Sequence, residues 1–169
     1  MTKPFVAILM GSDSDLPVMQ NTIDVLKSFN ITVEVKVTSA HRTPAATHSY
    51  VTDAEARGCK VFICAAGLAA HLAGAVAGIT TRPVIGVPVD AGPLQGHDAL
   101  LSTVMMPAGV PVATVAIGKA GAKNAAYLAA QMLAVADDEM AAAVKADRQA
   151  NAEAVIAKDK ALQEKLKNA

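Results

Sequence analysis

Short, almost wholly apolar runs alternate along this chain with segments whose apolar residues recur every three or four positions, and that alternation constrains the fold more than any other feature. Phe5 to Met10 is apolar at every position, as a strand covered on both faces must be, and Gly11 ends it. Leu16, Met19, Ile23, Leu26 and Phe29 then follow helical spacing. A β-branched alternation over Ile31 to Val37 leads to Thr43-Pro44, an N-cap with proline at the first helical position, and this second helix is expected to end near Gly58. The pattern continues with a strand over Lys60 to Ala65, a helix from near Leu68, a strand over Pro83 to Val87 and a short helix over Asp98 to Val104. A strand over Val112 to Ile117 and a helix from about Ala120 to Ala136 complete it. Strands separated by helices of this length imply right-handed crossovers and a parallel sheet. The expected fold is therefore α/β: a flavodoxin-like three-layer α/β/α sandwich with a central parallel sheet over residues 1–136. A chain of 169 residues has room for one such core and not two.

The segment 137–169 differs. It is rich in charge, yet Met140, Val144, Val155, Ile156, Leu162 and Leu166 keep a thin apolar row at near-helical spacing. A helix of this kind buries little alone, so it is expected to be a C-terminal helical extension that packs on the same or a neighbouring subunit, in a homo-oligomer.

Composition removes several classes of function. Lys plus Arg and Asp plus Glu are both 15, so no basic field exists to hold a nucleic acid, and three Phe, two Tyr and no Trp supply few stacking surfaces. Val61 to Ile79 carries no formal charge and is long enough on paper to span a bilayer. Its β-branched opening, its glycines and His71 fit a buried strand running into a small-residue helix, so no membrane partner is expected. Gly11-Ser12-Asp13-Ser14-Asp15 places acids where a signal peptide needs small neutral residues. Cys59 and Cys64 have no further Cys or His pair to complete a zinc site and read as buried reduced thiols, so a cytoplasmic protein is expected.

In an open parallel sheet, ligands bind beyond the carboxyl ends of the strands. Three unusual loops fall there. Gly11 to Asp15 runs from a strand into a helix start, where free N–H groups favour an anion such as phosphate, Ser12 and Ser14 add hydroxyls, and Asp15 suits sugar hydroxyls. These features together suggest a phosphorylated ribose, and plain helix capping explains the same letters. In the second loop Arg42 can fork onto phosphate or carboxylate, His41 can exchange protons near neutral pH, and Ser39 can orient a second anionic group. The third loop, around Gly67, offers backbone with almost no side chain, and His71 reads equally as a buried histidine or a ligand contact. His48 reads as structural or exposed, and Asp98 as a helix cap. No dinucleotide fingerprint, Walker lysine, nucleophile elbow or carboxylate cluster is present, which leaves metal-free acid–base chemistry.

Gly11-Ser12-Asp13-Ser14-Asp15, Ser39-Ala40-His41-Arg42-Thr43-Pro44, Ala69-Ala70-His71-Leu72, Gly86-Val87-Pro88, Asp98-Ala99-Leu100-Leu101-Ser102 and Met106-Pro107-Ala108-Gly109-Val110-Pro111-Val112 resemble, in order and spacing, the bacterial N5-carboxyaminoimidazole ribonucleotide mutase family of purine biosynthesis. The resemblance spans about Pro4 to Ala136. It implies an isomerase that moves a carboxyl group from the exocyclic nitrogen to ring carbon C4, without metal, biotin or ATP, in a homo-octamer. It further implies that His41 is the proton shuttle, that Ser12, Asp15 and Arg42 bind the ribonucleotide, and that Ser39, Gly67 and His71 surround the migrating carboxyl. Leu68 stands where the family often has glycine or methionine, Ala73 where proline is usual, and Met105 where glutamine is usual. Two other readings stay open: a carboxylase that adds carbon dioxide directly to aminoimidazole ribonucleotide, and a ribonucleotide-binding protein without catalysis. The Gly- and Pro-rich stretch Val89 to Gly96 is the candidate lid.

Overall fold

The protein is described from a computed structural model that covers residues 4–168. Its elements, in chain order, are β1 (Phe5–Met10), a 3-10 turn (Asp13–Asp15), α1 (Leu16–Ser28), β2 (Thr32–Val37), α2 (Pro44–Ala56), β3 (Cys59–Gly67) and α3 (Leu72–Ala77). β4 (Val84–Val89), α4 (His97–Val104), β5 (Ala113–Thr114), α5 (Gly118–Ala134) and α6 (Asp138–Lys167) follow. The chain forms two compact units, divided after Ala130.

All five strands are parallel in the order β2-β1-β3-β4-β5. This is the flavodoxin-like order. Right-handed crossovers then put α1 on one face and α2, α3 and α4 on the other. A hydrogen bond from Thr22 Oγ1 to the Ala122 carbonyl (2.7 Å) and an edge-to-face contact between Phe29 and Tyr127 place α5 beside α1. The direction of chain travel reverses between β1 and β3, and a crevice opens where neighbouring strands send their connections to opposite faces.

The central strands have the composition their position demands. Every residue of β1 and β4 is buried. Phe5, Ala7 and Leu9 share a cluster with Phe62 and Cys64 from β3, Val51 and Ala54 from α2, and Leu72, Ala73 and Val76 from α3. That is the period-two alternation of a strand coupled to the apolar stripe of a helix. Cys59 and Cys64 are both buried as free thiols, and burial pushes the Cys59 thiol up to about 11.

Several boundaries differ from the sequence expectation. β2 is a strand, but it lies at the sheet edge beside β1 alone, so most of its residues are exposed, Val35 and Val37 included. β3 runs on to Gly67, and α3 starts at Leu72 rather than near Leu68, because Leu68 takes a left-handed conformation (φ +55°) that a helix cannot contain. β5 has only two residues, paired to Ile85 and Gly86. Beyond it the Val115 N–H still donates to the Gly86 carbonyl (3.0 Å), and the first turn of α5 then lies so close to the Ala116 carbonyl that Gly121 could carry no side chain. Asp98 does not cap α4; Gly96 in the left-handed region does, and Asp98 Oδ1 is buried without a hydrogen-bond partner among the described residues. Val61 to Ile79 is β3, a loop and α3, and no helix among the described residues is long and apolar enough to cross a membrane. The 30-residue α6 is capped by Asp137, whose side chain accepts from the Met140 N–H, and none of the helix's residues is buried.

Candidate active site

Three strand ends reach the same edge. The β1 and β3 ladders are extended past Met10 by a bond from the Gly11 N–H to the Ala65 carbonyl (3.1 Å), and those of β1 and β2 by one from the Thr38 N–H to the Met10 carbonyl (2.9 Å). The loops that follow are thereby held side by side. A cavity of about 530 Å³ opens among them. Ser12, Ser14, Asp15, Ser39, His41, Arg42, Gly67 and His71, every side chain or backbone position singled out from the sequence, line it.

The first loop closes as a capping box. The Ser14 N–H donates to Ser12 Oγ (3.3 Å) and the Ser12 N–H to Asp15 Oδ2 (3.1 Å). Capping and ligand binding were alternative explanations of these residues; the geometry contains the capping, and it presents the two hydroxyls 2.8 Å apart at the cavity wall. Asp15 is buried, and desolvation raises its carboxyl above the ordinary value, against the Ser12 N–H, which lowers it; Asp13 adds a smaller rise.

The second loop is tied to the first through Arg42. Its Nη2 donates to the Gly11 carbonyl (2.9 Å), its Nε to Ser39 Oγ (3.4 Å), and its backbone N–H to the same hydroxyl (3.1 Å). A guanidinium carries five N–H groups, so this anchoring leaves others for an anion. Thr43 does stand at the N-cap position of α2 with Pro44 at its start, but its side chain makes no capping bond to the helix. The hydroxyl turns back to Ser39 instead, accepting from its N–H (2.9 Å).

The third loop brings His71 to His41. Nε2 of His41 lies 2.6 Å from Nδ1 of His71, with the rings perpendicular and their centroids 4.8 Å apart. One nitrogen must donate and the other accept, so a single proton sits between two imidazoles that are 30 residues apart in the chain. The open choice for His71 is thereby resolved against a buried core residue: it is exposed at the cavity and partnered to His41. His48 lies on the exposed side of α2.

Sequence reading missed three contributors. The Gly11 carbonyl is an acceptor, and nothing in a residue's identity reports on its carbonyl. Leu68 lines the cavity and is half exposed, in a backbone conformation that suits glycine better. Ala91 reaches the cavity from the loop after β4, and a Cβ on Gly67 would collide with Ala91 Cβ. The Gly- and Pro-rich composition of that loop was the one signal pointing to it.

Residues 5–154 match the AIR carboxylase family. The N5-carboxyaminoimidazole ribonucleotide mutase of Mycobacterium tuberculosis is 53% identical over 161 residues, 95% of this chain and 91% of the relative. That of Bacillus subtilis is 54% identical over 139 residues, 82% of this chain and 86% of the relative. Among solved structures, Treponema denticola PurE superposes with a TM-score of 0.84 at 34% identity, covering 94% of this chain and 98% of that one.

Proposed function

This chain belongs to the AIR carboxylase family, and on that premise we propose that its sheet-edge cavity is the active site of an isomerase acting in purine biosynthesis. The protein is an enzyme that converts N5-carboxyaminoimidazole ribonucleotide to 4-carboxy-5-aminoimidazole ribonucleotide. The observation that carries the assignment of residues is the convergence of three loops on one cavity with His41 at its wall.

Ser12, Ser14 and Asp15 hold the ribose phosphate end: the two hydroxyls at the cavity wall face the phosphate at the start of the helix, and the carboxylate accepts from sugar hydroxyls. Arg42, anchored by Gly11 and Ser39, takes an anionic oxygen of the substrate. Ser39, Gly67 and His71 surround the carboxyl group. The reaction breaks the bond between nitrogen and the carboxyl carbon, releases carbon dioxide inside the cavity, and gives the nitrogen a proton from His41. Carbon C4 then attacks the trapped carbon dioxide, and His41 takes the C4 proton, which restores its starting state. The 2.6 Å contact to His71 supports this role, because it orients the imidazole and offers its proton a second site. Trapping the gas beside C4 makes recombination effectively unimolecular, worth about 7 to 11 kcal/mol in well-oriented cases. The loop from Val89 to Gly96, already against Gly67 through Ala91, serves as the lid.

Catalysis is assigned to residues 1–136 and a packing role, on the same or a neighbouring subunit, to the helical extension 137–169. A cytoplasmic homo-octamer is the proposed assembly. Exposed Leu94, Leu101, Val104 and Met105, on and beside α4, support a subunit contact there.

The deciding experiment follows interconversion of the two carboxylated ribonucleotides by the purified full-length chain without added ATP, metal or bicarbonate. Conversion supports the mutase. A strict dependence on added bicarbonate would instead identify a direct carboxylase, and ligand binding without turnover a non-catalytic protein.

A further inference from the structure

The loop that carries Ser39, His41 and Arg42 has no regular secondary structure of its own, yet one side chain holds both of its ends. Thr43 Oγ1 accepts from the Ser39 N–H (2.9 Å) and donates to the Ser39 carbonyl (3.2 Å), which also accepts from the Thr43 N–H (2.9 Å). Behind it stand two buried threonines, Thr38 and Thr47, 4% and 1% exposed. Thr38 Oγ1 lies 3.2 Å from Thr43 Oγ1 and 2.7 Å from Thr47 Oγ1, and Thr47 Oγ1 donates to the Thr43 carbonyl (3.1 Å). Three hydroxyl protons suffice: Thr38 to Thr47, Thr47 to the Thr43 carbonyl, Thr43 to the Ser39 carbonyl. Thr43 Oγ1 is then left as the acceptor for the Ser39 N–H. Ser39 Oγ in turn accepts from the backbone and side chain of Arg42.

We propose that Thr43 is a positioning residue for the reaction, clamping Ser39 so that His41 and Arg42 meet the substrate at fixed places, with Thr38 and Thr47 as the support of that clamp. The inference rests on the active-site reading above. It concerns no contact with substrate, since Thr43 acts through Ser39 and the loop.

The test compares wild type with Thr43→Val, which keeps the shape and removes the hydroxyl, and with Thr43→Ser, which restores it. Thr43→Val is expected to lose about 10²-fold in kcat/KM, the order expected for a displacement of about 1 Å. Part of the loss falls on KM, because Arg42 rides on the same loop, and exchange of the Ser39 amide becomes faster in the free protein. Thr43→Ser stays within about threefold of wild type. A merely structural role would lower the amount of active enzyme, and so apparent kcat, while leaving KM unchanged; that result overturns the proposal, as does a Thr43→Val enzyme within about twofold of wild type. Thr47→Val, which removes only the support, tests the same clamp if Thr43→Val fails to fold, with faster Ser39 exchange and a smaller rise in KM expected, and unchanged exchange and KM overturning it. A wild-type chain that does not turn over would instead overturn the active-site reading itself, independently of what Ser39 exchange reports on the clamp.

Discussion

A proton shuttle needs one nitrogen at the reacting bond and a way to hold that nitrogen still. The structure shows what would hold His41 in the proposed role: its Nε2 lies 2.6 Å from His71 Nδ1, and its loop is tied to the end of β1 through Arg42 and Gly11. Replacing His41 by Asn should leave ribonucleotide affinity, measured by calorimetry, within a few fold and lower kcat by about 10²- to 10⁴-fold. Turnover at the wild-type rate would reassign the proton to another group. Asp15 makes a different prediction, because burial raises its folded pKa above the ordinary 3.8. The folded state then holds that proton more tightly than the unfolded chain does. Its contribution to stability is full below about 3.8 and is lost as pH rises through the folded value. Asp15→Asn, which can still accept the Ser12 N–H, should show an equal or higher Tm at pH 7 and a flatter Tm profile above pH 4, with KM raised about tenfold. A lower Tm at pH 7 together with an unchanged KM would contradict both halves.

At the scale of elements, the site depends on how closely two strand ends can be followed by two loops. β3 and β4 are neighbours in register from Phe62 and Val84 to Gly67 and Val89, so the connections leaving them share little space. Gly67 resolves the crowding by carrying no side chain against Ala91. Gly67→Ala should therefore push the β4–α4 loop outward, cost about 1–3 kcal/mol of stability through overpacking, and lower kcat/KM at least tenfold. Denaturant melts and steady-state kinetics measure the two effects, and a variant indistinguishable from wild type in both would show that the loop yields freely. The edge strand β2 behaves in the opposite way. With one neighbour only, it is secured by side chains: Glu34 takes both a bond from Tyr50 and a fork from Arg57, and the guanidinium holds the Glu34 carboxyl below its usual range.

At the scale of the whole molecule, the exposed apolar side chains do not suit a solitary subunit. Leu94, Leu101 and Met105 are 59%, 61% and 79% exposed. A homo-octamer should give a light-scattering mass of eight times 17.2 kDa, and Leu101→Asp with Met105→Asp should shift it to smaller species. A monomeric wild-type mass at micromolar concentration would remove the octamer from the proposal.

How much of this was legible beforehand varies with the range of the interaction involved. Apolar runs and helical spacing are local, and they marked where the strands and helices lie; the start of α3 moved because of the backbone conformation at Leu68, and β5 kept only two of the six residues expected of it. The three site loops were legible for the same reason, as each is a short segment of unusual composition at a strand end. What the letters did not contain was relative placement. The contact of His41 with His71, the bond from Arg42 to Gly11 and the turning of Thr43 from its helix toward Ser39 depend on which strands are adjacent and in what register. Sequence alone determined the elements and the chemistry available at their ends, because both are written in consecutive residues. Only the tertiary structure decided which of those groups meet, because sheet order joins segments that no local pattern connects.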